Sequence, residues 1–466
     1  MKKLLKRLCS AMVAAVMVMT MAPAAFAADG GAQFQNGPYL LAPKTNSMVV
    51  VWESTEKVSA TIAYGTDESK LCDPIKVEID ADAPDFKGSK MNLFHYKLDN
   101  LTPGTRYYYE VKLEGGATCK ASFKTLSEKP DQIRLITLSD SHIFATRAEL
   151  DQAIKEFDPD LLLHCGDLVE GTGAQAEQFS FWFQGKVEND YIHSYPVVYS
   201  SGNHDQGGVY FNTYVYSIQD EEYGAEVEGD SSFNYAGLHI VTMNSNPWGL
   251  FQMNSEATGQ KADAATIKTI DNAMNWLKKD LATDAAKNAD FRLIFMHHPV
   301  SDAYTKRYIP AVIEPGKVDL LLSGHTHSYA RAVSSDPSVG AGTIYLTHQD
   351  ARTYNKKGDF FYITSTPGSG VLDVKNYGAT AAGQDSKVAN ETLVAKDKQQ
   401  LSWSDISITP SEVLYNGEVT VTAKVTNNGK GLAAAVIPVV DNGTTRYLYK
   451  FEDGIVTLDP GKSATL

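Results

Sequence analysis

Five short apolar runs in the middle of the chain stop abruptly at residues that can hold a metal. They are IRLITLSDSH, ending in Asp140 and His142; LLLHCGD, in Asp167; PVVYSSGNHD, in Asn203, His204 and Asp205; LIFMHHP, at His297 and His298; and LLLSGHTH, in His325 and His327. Runs this short and this apolar read as strands covered on both faces, and TRAELDQAIKEF and AATIKTIDNAMNWLKKDLA carry helical spacing between them. That alternation predicts an α/β domain over residues 130–370. In such folds the carboxyl ends of the strands face one crevice, so residues far apart in the chain can meet there.

Alone, each ending has an ordinary reading. Asp167 after Gly166 could cap a helix, Asn203 after Gly202 could sit in a turn, and a histidine next to Pro299 is commonly a hydrogen-bonded buried side chain. His164, His193, His239 and His348 are given that reading. Five such endings in one segment favour a shared site instead. Carboxylate, imidazole and amide oxygen together suit divalent zinc, manganese or iron. Asp167, with two oxygens, could bridge a pair of ions, and a glycine-hinged turn could aim His325 and His327 at neighbouring ones.

The blocks Asp-x-His, Gly-Asp, Gly-Asn-His-Asp, a later His and Gly-His-x-His run in order from Asp140 to His327, and in this the chain resembles the calcineurin-like metallophosphoesterase superfamily. The resemblance implies a four-layer α/β/β/α sandwich holding two divalent metal ions. It assigns Asp140, His142, Asp167 and His327 to one ion, and Asp167, Asn203, His297 and His325 to the other. It also implies cleavage of phosphate esters by direct attack of a metal-bound hydroxide, with His204 beside the leaving oxygen and Asp205 fixing its tautomer. A turn-capping role is the alternative for Asp205. His298, beside a ligand, is read as substrate-facing or structural.

The continuation GHTHSYAR, with Tyr329 and Arg331, and a β-rich segment ahead of the metal blocks make the chain similar to the purple acid phosphatase branch. Two positions depart from it. His142 stands where that branch has glycine, and Glu170 where it has the tyrosine that binds ferric iron. A divalent rather than ferric first site is therefore expected, with Glu170 a solvated loop residue. His142 and the missing tyrosine also favour a phosphodiesterase proper as the alternative to a phosphomonoesterase, and a non-catalytic surface-binding module ranks below both.

Outside this domain the texture is β. Residues 28–129 alternate with period two between close turns, and LDNLTPGTRYYYEV resembles the corner of fibronectin type III domains, in which a tyrosine hydroxyl bonds back to the turn; here the residues are Leu101, Pro103, Thr105 and Tyr107. Residues 371–400 read as a linker or domain edge. Residues 401–466 read as an immunoglobulin-like β module that is too short to be complete, with cell-surface or carbohydrate contact as a candidate role.

Residues 1–27 have the form of a secretory signal, with Lys2, Lys3, Lys6 and Arg7, an apolar stretch and Ala25-Phe26-Ala27. No later run predicts a membrane span. The 42 Lys and Arg face 56 Asp and Glu, a net charge of −14 that loss of this leader makes more negative, which argues against nucleic-acid binding and leaves a small phosphate ester as the expected partner. Export would permit a Cys72–Cys119 disulfide, and Cys165 reads as a small buried side chain. Segments holding Trp248, Tyr304 and Arg307 are candidates for the wall above the metals.

Overall fold

The computed structural model describes residues 30–80, 85–86, 89–142, 148–171, 176–185, 190–206, 209–247, 263–300, 308–310, 312–313, 318–333, 343–349, 359–378, 391–394, 401–411, 420–428, 433–436, 439–441, 446–448, 456–458 and 461–465. The leader, Trp248, Tyr304 and Arg307 lie outside the described residues.

Two six-stranded sheets carry the centre of the chain. One runs Val197–Tyr199, Leu161–His164, Ile133–Leu138, Asp359–Ser365, Val371–Gly378, Glu391–Val394; the other runs Ser231–Tyr235, Leu238–Thr242, Phe291–Phe295, Leu320–Ser323, Ile344–Thr347, Ala330–Val333. Successive side chains of a strand point to opposite faces, and both faces here are apolar. Leu135, Leu161 and Leu163 share a core with Ile240, Leu293, Phe295, Leu320 and Leu322 of the other sheet. Their neighbours Ile136, Leu138, Leu162 and Val197 pack with Ile154, Phe179 and Trp182 of the helices Ala148–Phe157 and Ala176–Phe183. On the far side, Val241, Ile294 and Leu321 meet Ile270 and Leu277 of Ala264–Asp280. That helix begins where Asp263 accepts the Thr266 N–H at 2.7 Å and carries Lys278 and Lys279 in its last turn, where positive charge suits the helix dipole.

The described part of residues 371–400 fits the domain-edge alternative rather than the linker. Val371–Gly378 pairs antiparallel with Asp359–Ser365, and Glu391–Val394 pairs with Val371–Gly378, so the described part of the segment is the sheet's edge. In Val371–Gly378, next to the edge strand Glu391–Val394, Leu372 and Val374 supply one apolar face while Asp373 and Lys375 give the stretch its polar look.

Ahead of this lie a three-stranded sheet (Phe34–Leu41, Met48–Ser54, Leu93–Leu98) and a four-stranded sheet (Ile75–Val77, Ala60–Gly65, Arg106–Leu113, Thr118–Lys124) with a common core. At the expected corner the Thr102 N–H donates to the Tyr107 hydroxyl at 2.9 Å. Met48–Ser54 is buried along its whole length because Met48, Val50 and Trp52 fill that core while Val49 and Val51 face the central domain. Polar links cross the same boundary. The Tyr39 hydroxyl donates to the Tyr214 carbonyl at 2.8 Å, and Lys44 and Lys97 both reach the Glu222 carboxylate at 2.9 Å.

After residue 400, Leu401–Thr409, Thr420–Asn427 and Ser463–Thr465 form a three-stranded antiparallel sheet, with two further strand pairs beside it in sequence. Among the described residues no disulfide forms: Cys72 is exposed and Cys119 buried, without the Cys72–Cys119 bridge that export would permit, and Cys165 is buried. Among the described residues no helix is long and apolar enough to cross a membrane.

Candidate metal centre

Ile133–Leu138, Leu161–His164 and Val197–Tyr199 are mutually parallel in one sheet, and Leu238–Thr242, Phe291–Phe295 and Leu320–Ser323 in the other. Their following loops are tied together by the backbone: the Asp140 N–H donates to the Gly166 carbonyl, the His142 N–H to the Asp167 carbonyl and the Gly324 N–H to the His297 carbonyl. Asp140, His142, Asp167, His325 and His327 all have left-handed φ, between 50° and 75°. Side chains other than glycine adopt this conformation at a cost, and such strain concentrates at functional sites. Gly202 and Gly324 are required here for room. A Cβ on Gly202 would collide with the Asp167 carboxylate, and one on Gly324 with the Asp140 carboxylate and the Ser139 hydroxyl.

Two donor groups result. Asp140, His142, Asp167 and His327 offer ligand atoms within 4.8 Å of one another, as do His297, His298 and His325. In the first, His142 Nε2 lies 3.1 Å from His327 Nε2, and His327 Nε2 lies 3.2 Å from Asp140 Oδ1. His142 Nδ1 faces the Val169 carbonyl at 3.0 Å, an arrangement that directs Nε2 into the group. The second group adjoins it through His297, whose Nε2 lies 3.2 Å from Asp167 Oδ2 and 3.1 Å from Asn203 Oδ1, with Nδ1 held by the Cys165 carbonyl at 2.8 Å. The turn between His325 and His327 thus puts one imidazole in each group.

The electrostatics ask for positive charge. Burial opposes ionisation of Asp167, yet His297, His204 and His142 outweigh it and hold the carboxyl below the usual carboxylate range. Asp140 is lowered in the same way, burial being overcome by its bond to His327 and by His297. Burial alone would lower His297; the Asp167 and Asp140 carboxylates instead raise it to about 9. Burial and His297 lower His325 to about 4, and burial lowers His142 against the pull of both carboxylates. Two buried carboxylates draw a proton onto one imidazole, and divalent cations would supply that positive charge in its place. The donor set therefore fits metal ions.

Residues 133–329 match the family described as calcineurin-like phosphoesterase. The chain carries a calcineurin-like phosphoesterase domain. Residues 38–125 match the purple acid phosphatase N-terminal domain, and the two together mark a metal-dependent phosphoesterase. The solved structure of PhoD shares the fold: 12% identity, 94% of each chain covered and a TM-score of 0.55. A predicted phosphoesterase from Streptococcus pneumoniae TIGR4 covers 56% of this chain and 98% of its own at 9% identity and TM-score 0.26. Vacuolar protein sorting 29 from Cryptosporidium parvum covers 57% and 100% at 12% identity and TM-score 0.29. No curated protein matches the chain.

Within the phosphoesterase domain, the contacts of Asp205 fit the turn-capping alternative rather than the orienting of His204. Its Oδ2 accepts the N–H groups of Gly202 and Asp167 at 2.7 and 2.8 Å, and its Oδ1 those of Leu168 and Val169 at 2.8 and 3.3 Å. Both oxygens of this fully buried carboxylate are thus committed to backbone, and His204 Nδ1 pairs with the Gly171 carbonyl at 3.0 Å instead. Asp205 is the clasp of the two loops that carry Asp167 and Asn203. Burial and the neighbouring Asp167 charge push it up to about 7, against the N–H bonds that favour its charged form.

His204 is a third exposed, its own N–H donates to Asp167 Oδ1 at 2.9 Å and its Nε2 lies 4.0 Å from Asp167 Oδ2. Glu170 approaches His142 Nδ1 at 3.3 Å, on the side away from His327, and is exposed. His164, His193, His239 and His348 are buried and hydrogen-bonded. The supports that sequence could not name are carbonyls: Cys165, Val169 and Gly171 orient three imidazoles through backbone atoms that every residue possesses.

Proposed function

We propose that this chain is a secreted phosphohydrolase that cleaves phosphate esters at a pair of divalent cations, zinc, manganese or iron. The observation that carries this is the split donor set around Asp167, five of whose members are held in left-handed backbone. Asp140, His142 and His327 would hold one ion and Asn203, His297 and His325 the other, with Asp167 between them. We read the two sheets with their outer helices as an α/β/β/α sandwich, preceded by a fibronectin type III-like sandwich and followed by an immunoglobulin-like β module. A signal peptide over residues 1–27 would export it, and the terminal β modules are candidate cell-surface or carbohydrate contacts.

When bound, two such ions clamp phosphoryl oxygens and acidify water for in-line attack. The chain's own part is to fix this geometry and to handle the departing oxygen. With His204 Nδ1–H committed to the Gly171 carbonyl, Nε2 is the ring atom left to face that oxygen, and as the imidazolium, with a proton on both nitrogens, the ring would give it one from Nε2. The buried clasp at Asp205 holds Asp167 and Asn203 in register, and Val169 and Cys165 fix which nitrogens of His142 and His297 point inward.

A phosphodiesterase proper is the second reading, favoured by His142, which gives the first group an imidazole. Turnover of p-nitrophenyl phosphate and of its bis-ester, each with and without chelator, tests both. Chelator-sensitive hydrolysis is expected, and the ratio of the two rates separates monoesterase from diesterase. Turnover indifferent to chelator would remove both readings.

A further inference from the structure

His298 is fully buried beside the second donor group, and its Nε2 has no hydrogen-bond partner. A buried polar nitrogen without a partner costs on the order of 1–3 kcal/mol, so its lone pair or proton needs an explanation. The ring centroid lies 4.5 Å from that of His325 and 5.0 Å from that of His297. A ligand atom of His298 falls within 4.8 Å of theirs.

The other face of the ring is fixed. His298 Nδ1 lies 2.9 Å from the Ser245 hydroxyl oxygen, which also accepts the His298 backbone N–H at 2.9 Å. A hydroxyl oxygen has two lone pairs, so Ser245 can accept the His298 backbone N–H and the ring Nδ1–H together; in that tautomer Nε2 is a bare acceptor aimed at the second donor group. This is how metal-bound histidines are commonly oriented. Exposure of about 1% argues against a substrate-facing donor.

Resting on the metal reading above, we infer that His298 Nε2 is a further ligand of the second cation, with Ser245 its positioning residue. Three imidazoles, an amide oxygen and a carboxylate then surround that ion. Imidazole-rich sites suit zinc, cobalt and nickel, whereas magnesium and calcium prefer oxygen. The two sites should therefore differ in selectivity, the second rejecting magnesium.

The test is cobalt binding to the full chain, followed by visible absorption and by chelator competition, with no substrate present. His298→Asn is expected to change the spectrum of the second ion and weaken its binding by more than the roughly 10–100-fold that follows loss of a supporting group. Ser245→Ala should weaken it roughly 10-fold, and it carries the test should His298→Asn fail to fold. His297→Asn tests the underlying reading: if it too retains two ions, the metal reading fails first. If His297→Asn loses one ion while His298→Asn and Ser245→Ala keep wild-type spectra and affinities, the metal reading stands and this inference is overturned.

Discussion

Replacing Asp205 by alanine separates a clasp from a catalytic partner. The carboxylate accepts four backbone N–H groups, those of Gly202, Asp167, Leu168 and Val169, three of them at 2.8 Å or less. Alanine leaves all four without an acceptor in a buried place. Each orphaned donor costs about 1–3 kcal/mol, and entry of a water or loop relaxation would recover part of the loss, so a net destabilisation of about 3–6 kcal/mol is expected. Urea unfolding of the metal-free protein measures it. Because the freed loops carry Asp167 and Asn203, zinc affinity should fall as well, on the order of 10–100-fold. Asp205→Asn keeps one acceptor oxygen and should lie between. A variant that loses less than about 0.5 kcal/mol and binds zinc normally, yet shows a shifted pH–rate profile, would refute the clasp and restore Asp205 as the partner of His204.

Three further outcomes follow from the geometry. Gly324→Ala drives a methyl into the Asp140 carboxylate and should lower metal content measured by atomic absorption, whereas unchanged content would count against a ligand role for Asp140. Tyr107→Phe removes the acceptor of the Thr102 N–H and should cost about 1 kcal/mol in chemical unfolding; equal stability would show that the corner bond contributes nothing. Glu222 is lowered because its bonds to Lys44 and Lys97 outweigh burial. Its folded carboxyl thus binds a proton less readily than the unfolded one, so the stability it adds is present at neutral pH and is lost as pH falls through its lowered value. Both lysine side chains are about a third exposed or more, so Glu222→Gln should cost no more than about 1 kcal/mol at pH 7. The gap from wild type should close in acid, and a gap that persists there would contradict the linkage.

The site was legible because strand ends are punctuated. Apolar runs that stop at Gly-Asp, Gly-Asn-His-Asp or Gly-His-Thr-His announce both the strand and the group at its carboxyl end. The Asp205 clasp was not legible, since a carboxylate facing backbone N–H groups and one facing an imidazole are spelled alike. Left-handed backbone at Asp140 or His327 leaves no mark in composition either. His298 was visible, but the ring orientation that leaves its Nε2 unpartnered is set by Ser245 at Nδ1, some fifty positions earlier and on a neighbouring strand's loop. In the fold, Val371–Gly378 was hidden by its polar outer face although Leu372 and Val374 gave the period-two signal. Met48–Ser54, read with its neighbours as a period-two strand, is instead buried on both faces, because Val49 and Val51 pack into the central core.

The most direct measurement is anomalous diffraction from crystals grown with zinc or manganese. It should show two ions per chain, about 3.5–4 Å apart, one on each side of the Asp167 carboxylate, with His327 at the first and His325 at the second. No ion at Asp167, or a single ion touched by both histidines, would contradict the account.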